Sequence, residues 1–182
     1  MTSAPLALAV LLVSFTLARA TAAADRIDSV YTDIAGAACA IIAVDEEAGA
    51  TTQRCPGIAG YALLVEDDDA RMSITVVAPN GEQRPLDLWQ VVTTAFSTLG
   101  EKAEWRVKRQ NGDLVPIALI VRVNANEGGN PDVTTSYLAV AKITPQAACV
   151  TDRIAPAADM NLQARLAADA AAEKPCLEQT GL

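Results

Sequence analysis

The residues of this chain that could do chemistry are its carboxylates and its four cysteines, because it contains no histidine. Histidine is the commonest acid–base group near neutral pH, and it activates most serine and cysteine nucleophiles. Its absence excludes those mechanisms and most zinc hydrolase sites. What remains is chemistry by Asp and Glu alone, or binding without chemistry.

Two runs of acids stand out, Glu66–Asp69 and Asp45–Glu47. Adjacent carboxylates on a tight turn converge poorly on one ion, and neither run has the spaced Asp-x-Asp-x-Asp-Gly pattern of a calcium loop. Both are therefore interpreted as solvated turns, and no metal or cofactor is expected. Acids brought together across the fold could still serve a carboxylate-only, glycosidase-like hydrolase, which is kept as the alternative function.

The first 24 residues resemble an export signal. The apolar run Leu6–Leu17 is short for a membrane span, and two possible cleavage sites of the small-x-small kind follow it, at Ala18-Arg19-Ala20 and in the run that ends at Ala24. We therefore predict a signal peptide over 1–24, a single globular domain over 25–182, and a periplasmic or secreted protein. An uncleaved anchor is the other interpretation of this segment.

Four cysteines in an exported chain predict disulfides. Three pairings are possible, and we favour Cys39 with Cys55 and Cys149 with Cys176, because each closes a loop around one local unit. Each bridge contributes on the order of 3 kcal/mol in the loop-entropy treatment. The alternative is a four-thiolate zinc site, but no two cysteines have the Cys-x-x-Cys spacing.

The net charge argues against some partners. The whole chain carries −8, and loss of Arg19 with the leader leaves 13 basic against 22 acidic residues. A surface of this sign repels nucleic-acid backbones and anionic lipid headgroups. We expect no nucleic-acid partner and no stable membrane anchor after signal cleavage.

Alternating patterns predict which elements position these groups. In residues 61–77 two strands flank the acids Asp67–Asp69 and Ala70, and one face of the resulting hairpin is apolar. The six residues of that face are Tyr61, Leu63, Val65, Met72, Ile74 and Val76. Residues 38–44 predict a buried strand whose hairpin would be tied at its open end by Cys39–Cys55.

A second hairpin is predicted around Asn111-Gly112. A two-residue turn would pair Arg106 with Ile117 and place charges on the apolar face. A three-residue loop, Gln110–Gly112, pairs Trp105 with Ile117 instead, and the apolar face favours it. Trp105 itself, between Glu104 and Arg106, is interpreted as a core residue, with an exposed binding platform as the alternative.

Two helices are predicted. Leu86–Leu99 has a possible N-cap at Asp87, and the β-branched run Val91–Thr94 favours a loop plugging the sheet as the alternative. Its helical stripe consists of Leu88, Trp89, Val92, Ala95, Phe96 and Leu99. Met160–Glu173 follows the N-cap candidate Asp159, with an apolar stripe of Leu162, Leu166 and Ala170. The expected fold is α+β and β-dominated: six to eight strands in an antiparallel curved sheet or small sandwich, with a C-terminal helix.

Several of these motifs together resemble a group of small exported proteins of proteobacteria. They are Arg54-Cys55-Pro56-Gly57 with Gly60 before a strand, Glu104-Trp105-Arg106, and Cys149 followed by a helix and Cys176. The resemblance implies export and a two-disulfide pattern, and it implies no site residues and no assigned activity.

The functional expectation is therefore a non-catalytic binding or inhibitory module of the cell envelope, with an envelope protein or glycan as its partner. A basic partner protein would complement the charge. The alternatives are the carboxylate-only hydrolase and a structural envelope protein without a soluble ligand.

Overall fold

The computed structural model describes residues 26–128, 130 and 132–178. Within these residues the chain forms a curved, mixed sheet of ten strands with a helix near its end, which confirms the predicted fold class. The strand number was predicted too low. The strands are β1 (Ile27–Asp33), β2 (Ala40–Asp45), β3 (Ala50–Pro56), β4 (Ala62–Asp68), β5 (Arg71–Val77), β6 (Gln83–Pro85), β7 (Ser97–Gln110), β8 (Asp113–Ala125), β9 (Thr135–Ile143) and β10 (Ala148–Ile154). The helices are α1 (Leu88–Val91) and α2 (Met160–Asp169), and short 3₁₀ turns span Gly36–Ala38 and Ala171–Glu173.

The sheet runs in the order β10-β9-β8-β7-β5-β4-β3-β2, so β10 and β2 are its two edge strands. The prediction of a buried strand over residues 38–44 is therefore wrong in its burial, because an edge strand has a neighbour on one side alone and all six residues of β2 are exposed. Strand β6 adds to β5, and β1 adds to β7. At β7 the sheet branches, because Ser97 meets Arg71 of β5 while residues 102–108 pair with β1. The contact between β5 and β7 is parallel and all the other strand pairs described are antiparallel.

Curvature brings the two halves of the sheet around one core. Its largest fully buried side chain is Trp105 of β7, whose ring lies 6.1 Å from that of Tyr61 before β4. Leu63 and Ile74 contribute to this core from the first half of the sheet, and Leu119 and Val123 contribute from the second; all four are fully buried. Apolar burial on this scale is the main stabilising term of the fold.

The predicted apolar face of the first long hairpin is confirmed. Leu63 pairs with Val76 and Val65 with Ile74, and all four are buried in the core. The turn is shorter than predicted: the strands extend to Asp68 and from Arg71, and only two residues connect them. Asp69 and Ala70 both have positive φ, 49° and 55°, as a two-residue I′ turn requires.

The predicted three-residue loop in the second hairpin is wrong. Asn111 and Gly112 form a two-residue turn with φ of 54° and 93°, and Gln110 pairs with Asp113. Simple alternation with this turn would pair Arg106 with Ile117 and place charges on the apolar face. A β-bulge shifts the register by one residue, so that Arg106 pairs with Ala118 instead. A bulge inserts one residue and restores the apolar face beyond it, which a pattern of simple alternation cannot anticipate.

The predicted long helix over Leu86–Leu99 is mostly wrong. Only Leu88–Val91 is helical, and β7 already begins at Ser97. Asp87 occupies the N-cap position with φ 49°, but its side chain makes no capping hydrogen bond. Leu88 and Val91 are buried in the core, and the Leu88 N–H donates to the Ser73 hydroxyl of β5, so the segment packs against the sheet as the alternative of a plugging loop predicted.

Helix α2 packs with the opposite face from the one its leucines suggested. Ala164 and Ala168 lie against Ala118, Ile120 and their neighbours on the outer face of β8 and β9. Leu162 and Leu166 are 57% and 63% exposed. Because alanine side chains are small, they let the helix approach the sheet closely, and the alanine face packs against the sheet although it is less hydrophobic per residue than the leucine face.

Both predicted disulfides are present. Cys39–Cys55 joins the open ends of β2 and β3, and Cys149–Cys176 joins β10 to the segment after α2. Disulfides of this kind are typical of proteins outside the reducing cytoplasm. The predicted signal peptide over 1–24 lies outside the described residues, and no helix within them has the length and hydropathy of a membrane span.

Candidate binding cleft

Two acidic hairpin tips lie side by side at one end of the sheet. One connects β2 to β3 at Asp45–Gly49, and the other connects β4 to β5 at Asp69-Ala70. Because β3 pairs with β4, Thr51 lies opposite Asp67 and Thr52 opposite Glu66. The two acidic runs, separate in sequence, therefore form one negative surface.

Hydrogen bonds give the two tips defined shapes. The Asp45 carboxylate accepts hydrogen bonds from the backbone N–H groups of Glu47 and Ala48, both at 3.0 Å. In the second tip, Arg71 forms an ion pair with Asp69 and donates to the carbonyl of Thr94 at 3.2 Å. These bonds hold each turn at its base and leave most of the other carboxylates directed to solvent.

A cleft opens between the second tip and the segment around α1. One cavity of about 370 Å³ is lined by Asp68, Asp69, Arg71, Trp89 and Thr94. An adjoining cavity of about 300 Å³ shares Asp68, Arg71 and Trp89 with it and extends to the strand ends. The further residues lining the second cavity are Ala50, Thr51, Thr52, Glu66, Asp67, Ser73 and Asp87. We call the combined space the tip cleft.

An aromatic wall faces the carboxylates of the tip cleft. The Trp89 side chain is 39% exposed, although it belongs to the short helix whose other large residues are buried. Nearby, the Arg71 guanidinium lies over the Phe96 ring at 4.6 Å from its centroid, and Phe96 is 52% exposed. The cleft therefore combines an indole face, several carboxylates and one arginine.

The charges of the tip cleft are unequally neutralised. Arg71 is the one cation that lines it among the described residues, and it is engaged by Asp69 and Phe96. Glu66 accepts a hydrogen bond from Thr75 at 3.0 Å. No hydrogen bond or ion pair within the described part of the chain involves the side chains of Asp67, Asp68 or Asp87. The cleft retains an excess of negative charge that a cationic ligand would complement.

No three acids or cysteines of the described residues are arranged to hold a metal ion. The side chains of Glu66, Asp67 and Asp68 alternate between the two faces of β4, and Asp69 lies in the turn that follows. This alternation is the physical reason that four consecutive acids do not make one ligand set.

Trp105 is a core residue, as the first of its two interpretations predicted. It is fully buried, and its indole N–H donates to the Thr32 hydroxyl at 3.0 Å. Its neighbours Glu104 and Arg106 do point outward, but α2 covers them. The sequence motif around Trp105 is therefore structural, and the exposed tryptophan of this protein is Trp89.

A network of ions fastens α2 to the sheet. Arg106 binds Asp169 through two hydrogen bonds, at 2.7 and 2.9 Å, and Arg165 binds Glu104 at 2.6 Å. Burial opposes ionisation of Glu104, but hydrogen bonds from Arg165 and Ser29 outweigh it and lower the pKa of the carboxyl group. Hydrogen bonding to Glu104 raises the pKa of Arg165. The network stays charged near neutral pH, and its role is to position the helix.

Sequence reasoning missed Trp89 and Arg71 as cleft residues. Trp89 was placed on a buried helical stripe, and Arg71 carried no motif at all. The one available signal was the poor helix propensity of residues 91–94, which could have placed Trp89 on an irregular, partly exposed segment.

Comparison with known proteins adds no family: no family model matches this chain, and neither a curated protein nor a solved structure is similar to it.

Proposed function

We propose that this chain is a non-catalytic binding module of the cell envelope, and that its tip cleft takes a cationic side chain of a protein partner. The observation that carries the proposal is that three carboxylates without a described partner, Asp67, Asp68 and Asp87, line the tip cleft together with the exposed indole of Trp89.

A lysine or arginine side chain fits this chemistry. Its alkyl stem packs on the indole, and its charge is attracted both by the ring face and by the carboxylates; a cation–π contact at a partly exposed site contributes about 0.5–1 kcal/mol. The cavity of about 370 Å³ lies at the lower end of the range for small-ligand sites. A glycan, the other expected partner, would use the indole but would not use the excess negative charge.

The carboxylate-only hydrolase has less support. Such an enzyme needs a carboxylic acid whose pKa is raised toward neutrality. Among the described residues, the two carboxyl groups with a clear pKa shift are Glu82 and Glu104, and both pKa values are lowered. A hydrogen bond from Arg84 lowers the pKa of Glu82, and hydrogen bonds from Arg165 and Ser29 lower that of Glu104. Neither residue lines the tip cleft.

A structural envelope protein without a ligand also has less support, because it would not need a cleft or an exposed apolar surface. The periplasm or the extracellular space is the proposed location, on the strength of the two disulfides together with the predicted signal peptide. Membership of the proteobacterial group of exported proteins stays part of this proposal. The acidic net charge supports the expectation of no nucleic-acid partner.

The test measures binding of an octalysine peptide to the oxidised protein by isothermal titration calorimetry, at low salt and at physiological salt. We expect binding that weakens as salt rises, because exposed charges are screened over about 8–10 Å. The double variant Asp68→Asn with Asp87→Asn should bind at least fivefold more weakly, and Trp89→Ala about threefold more weakly.

The matched control is Asp113→Asn with Glu173→Gln, which removes the same charge from exposed positions that do not line the tip cleft. This variant should bind as the wild type does. Equal weakening in both variants would mean attraction to net charge alone, and binding that is insensitive to salt would exclude a charge-driven site.

A further inference from the structure

Strand β2 is an uncovered, apolar end of the sheet. It pairs with β3 alone among the described strands, and all six of its residues are exposed. Ile41, Ile42 and Val44 are 65%, 54% and 59% exposed. A free edge with three large aliphatic residues is the kind of surface on which another strand adds.

Native proteins protect such edges, but no segment among residues 26–128 and 132–178 covers this one. The usual devices are Lys or Pro on the strand, a covering segment, or a bulge that twists the edge away. Residues 39–53 contain no Lys, Arg or Pro. A bulge is present between Ile41 and Ala43, but it leaves the aliphatic side chains in solvent.

The position of these side chains continues the face of the core. Ile41 pairs with Gln53 and Val44 with Thr51. Along β3 these two partners share a face with Cys55, which is buried in the core. The exposed Ile41 and Val44 therefore extend the apolar inner face one strand beyond its covered part. An added strand would find a template whose register is fixed by the Cys39–Cys55 bridge.

Charge identifies the kind of strand that fits. Strand β2 ends in Asp45, which is followed by Glu46 and Glu47. Strand β2 itself carries no cation, so a second copy pairing β2 with β2 would bring at most Arg54, one strand behind the edge, and a further excess of acidic residues. A basic partner would neutralise the three acids at the end of β2.

We infer that β2 accepts an extended segment of a basic partner protein, paired along its free edge. Alternate apolar side chains of that segment contact Ile41 and Val44, and a Lys or Arg at one end lies beside Asp45–Glu47. The interaction uses backbone hydrogen bonds for affinity and the acidic turn for direction. It needs β2 alone and does not require occupation of the tip cleft.

The probe is an eight-residue peptide, Thr-Val-Thr-Val-Thr-Val-Lys-Lys, together with its reversed sequence, so that both strand directions are offered. Amide hydrogen exchange of β2 is measured with and without peptide. We expect at least tenfold slower exchange at β2 amides with one of the two peptides, and at least fivefold weaker binding when glutamates replace its lysines.

The variant Ile41→Thr with Val44→Thr removes apolar surface without adding charge and should weaken binding about tenfold. Its control, Leu162→Gln with Leu166→Gln, removes equally exposed apolar residues from α2 and should leave binding unchanged. Both pairs are exposed, so folding should be retained, and circular dichroism checks it. Asp68→Asn with Asp87→Asn should weaken octalysine binding in the tip cleft while leaving β2 protection intact, which separates the two proposals.

Two results would overturn the inference. One is the lack of any protection of β2 amides at millimolar peptide. The other is self-association of the protein without peptide, measured by sedimentation and abolished by Ile41→Thr with Val44→Thr, because the occupant would then be a second copy.

Discussion

The two edge strands of the sheet, β10 and β2, each lie beside a disulfide, yet a further segment covers the edge of β10 and no described segment covers the edge of β2. At the β10 end, Cys149–Cys176 holds the segment after α2 against the strand, and the Leu177 N–H donates to the Val150 carbonyl at 2.7 Å. At the β2 end, Cys39–Cys55 joins two neighbouring strands and covers nothing.

Ion pairs strengthen the same difference. The closing segment at the β10 end is also held by Lys174, which binds Asp152 at 2.7 Å, and by Lys142, which donates to the Lys174 carbonyl. No comparable cation lies on β2. In this protein, the disulfide that brings a further segment to an edge strand covers that edge. The disulfide within the β2–β3 hairpin holds the edge strand in place and leaves its free side open to another strand.

The largest effect is expected from removing the bridges. Sequence separations of 27 and 16 predict losses of about 3–4 kcal/mol in the free energy of unfolding for Cys149→Ser with Cys176→Ser and about 3 kcal/mol for Cys39→Ser with Cys55→Ser. Urea unfolding measures both. Amide hydrogen exchange at Leu177 separates the two bridges: its rate should rise in Cys149→Ser with Cys176→Ser and stay unchanged in Cys39→Ser with Cys55→Ser. Continued protection of Leu177 in the former variant would mean that the lysine contacts alone hold the segment on the edge of β10.

The next effect concerns the helix that lies beside the closed end. Asp169→Ala leaves the Arg106 guanidinium, with only 10% of its side chain exposed, without its two-bond partner. The guanidinium keeps the Ser29 hydroxyl and the Glu104 carboxylate, 4.0 Å away, but these do not replace two charge-assisted hydrogen bonds. We therefore expect a loss of about 1.5–3 kcal/mol in the free energy of unfolding. The control is Asp113→Ala, which removes an exposed carboxylate at the start of β8 and should change the free energy of unfolding by less than about 0.5 kcal/mol.

The pH dependence of stability should come partly from Glu104. Its pKa is lower in the folded chain than the unfolded value of about 4.3, so its contribution is fully present above that pH and is lost as the pH falls through the folded pKa. Glu104→Gln should therefore be less stable than the wild type at pH 6, and the gap should narrow by pH 3. Glu101→Gln, an exposed neighbour on the same strand, should show no such convergence in urea unfolding.

The smallest effect is a stabilisation at the second acidic tip. Ala70 has φ 55°, a left-handed conformation in which a Cβ is unfavourable by roughly 1 kcal/mol. Ala70→Gly should raise the melting temperature by about 2–4 °C. Ala48→Gly, in the first tip, is the contrasting variant: Ala48 is not among the positive-φ residues, so the change should be neutral or slightly destabilising.

Local patterns predicted the elements that depend on neighbours in sequence. Alternation over residues 61–77 gave the correct apolar face because period two fixes which side chains share a face. It failed for the second hairpin, since the bulge near Ile117 changes the period without a signature in composition. The helical pattern failed for Leu86–Leu99 because the packing of Leu88 and Val91 into the core of the assembled sheet allows only a short helix there, and β7 begins at Ser97.

The sequence by itself determined the fold class, the two cysteine pairings, the acidic character and the exclusion of histidine chemistry, because these follow from composition and from contacts close along the chain. Only the tertiary structure decided that the two acidic runs lie together, that Trp89 faces them, and that the alanine face of α2 packs while its leucines stay outside. It also decided which edge is closed. These outcomes depend on contacts between residues far apart in sequence, such as Arg106 with Asp169, whose selection requires the complete sheet.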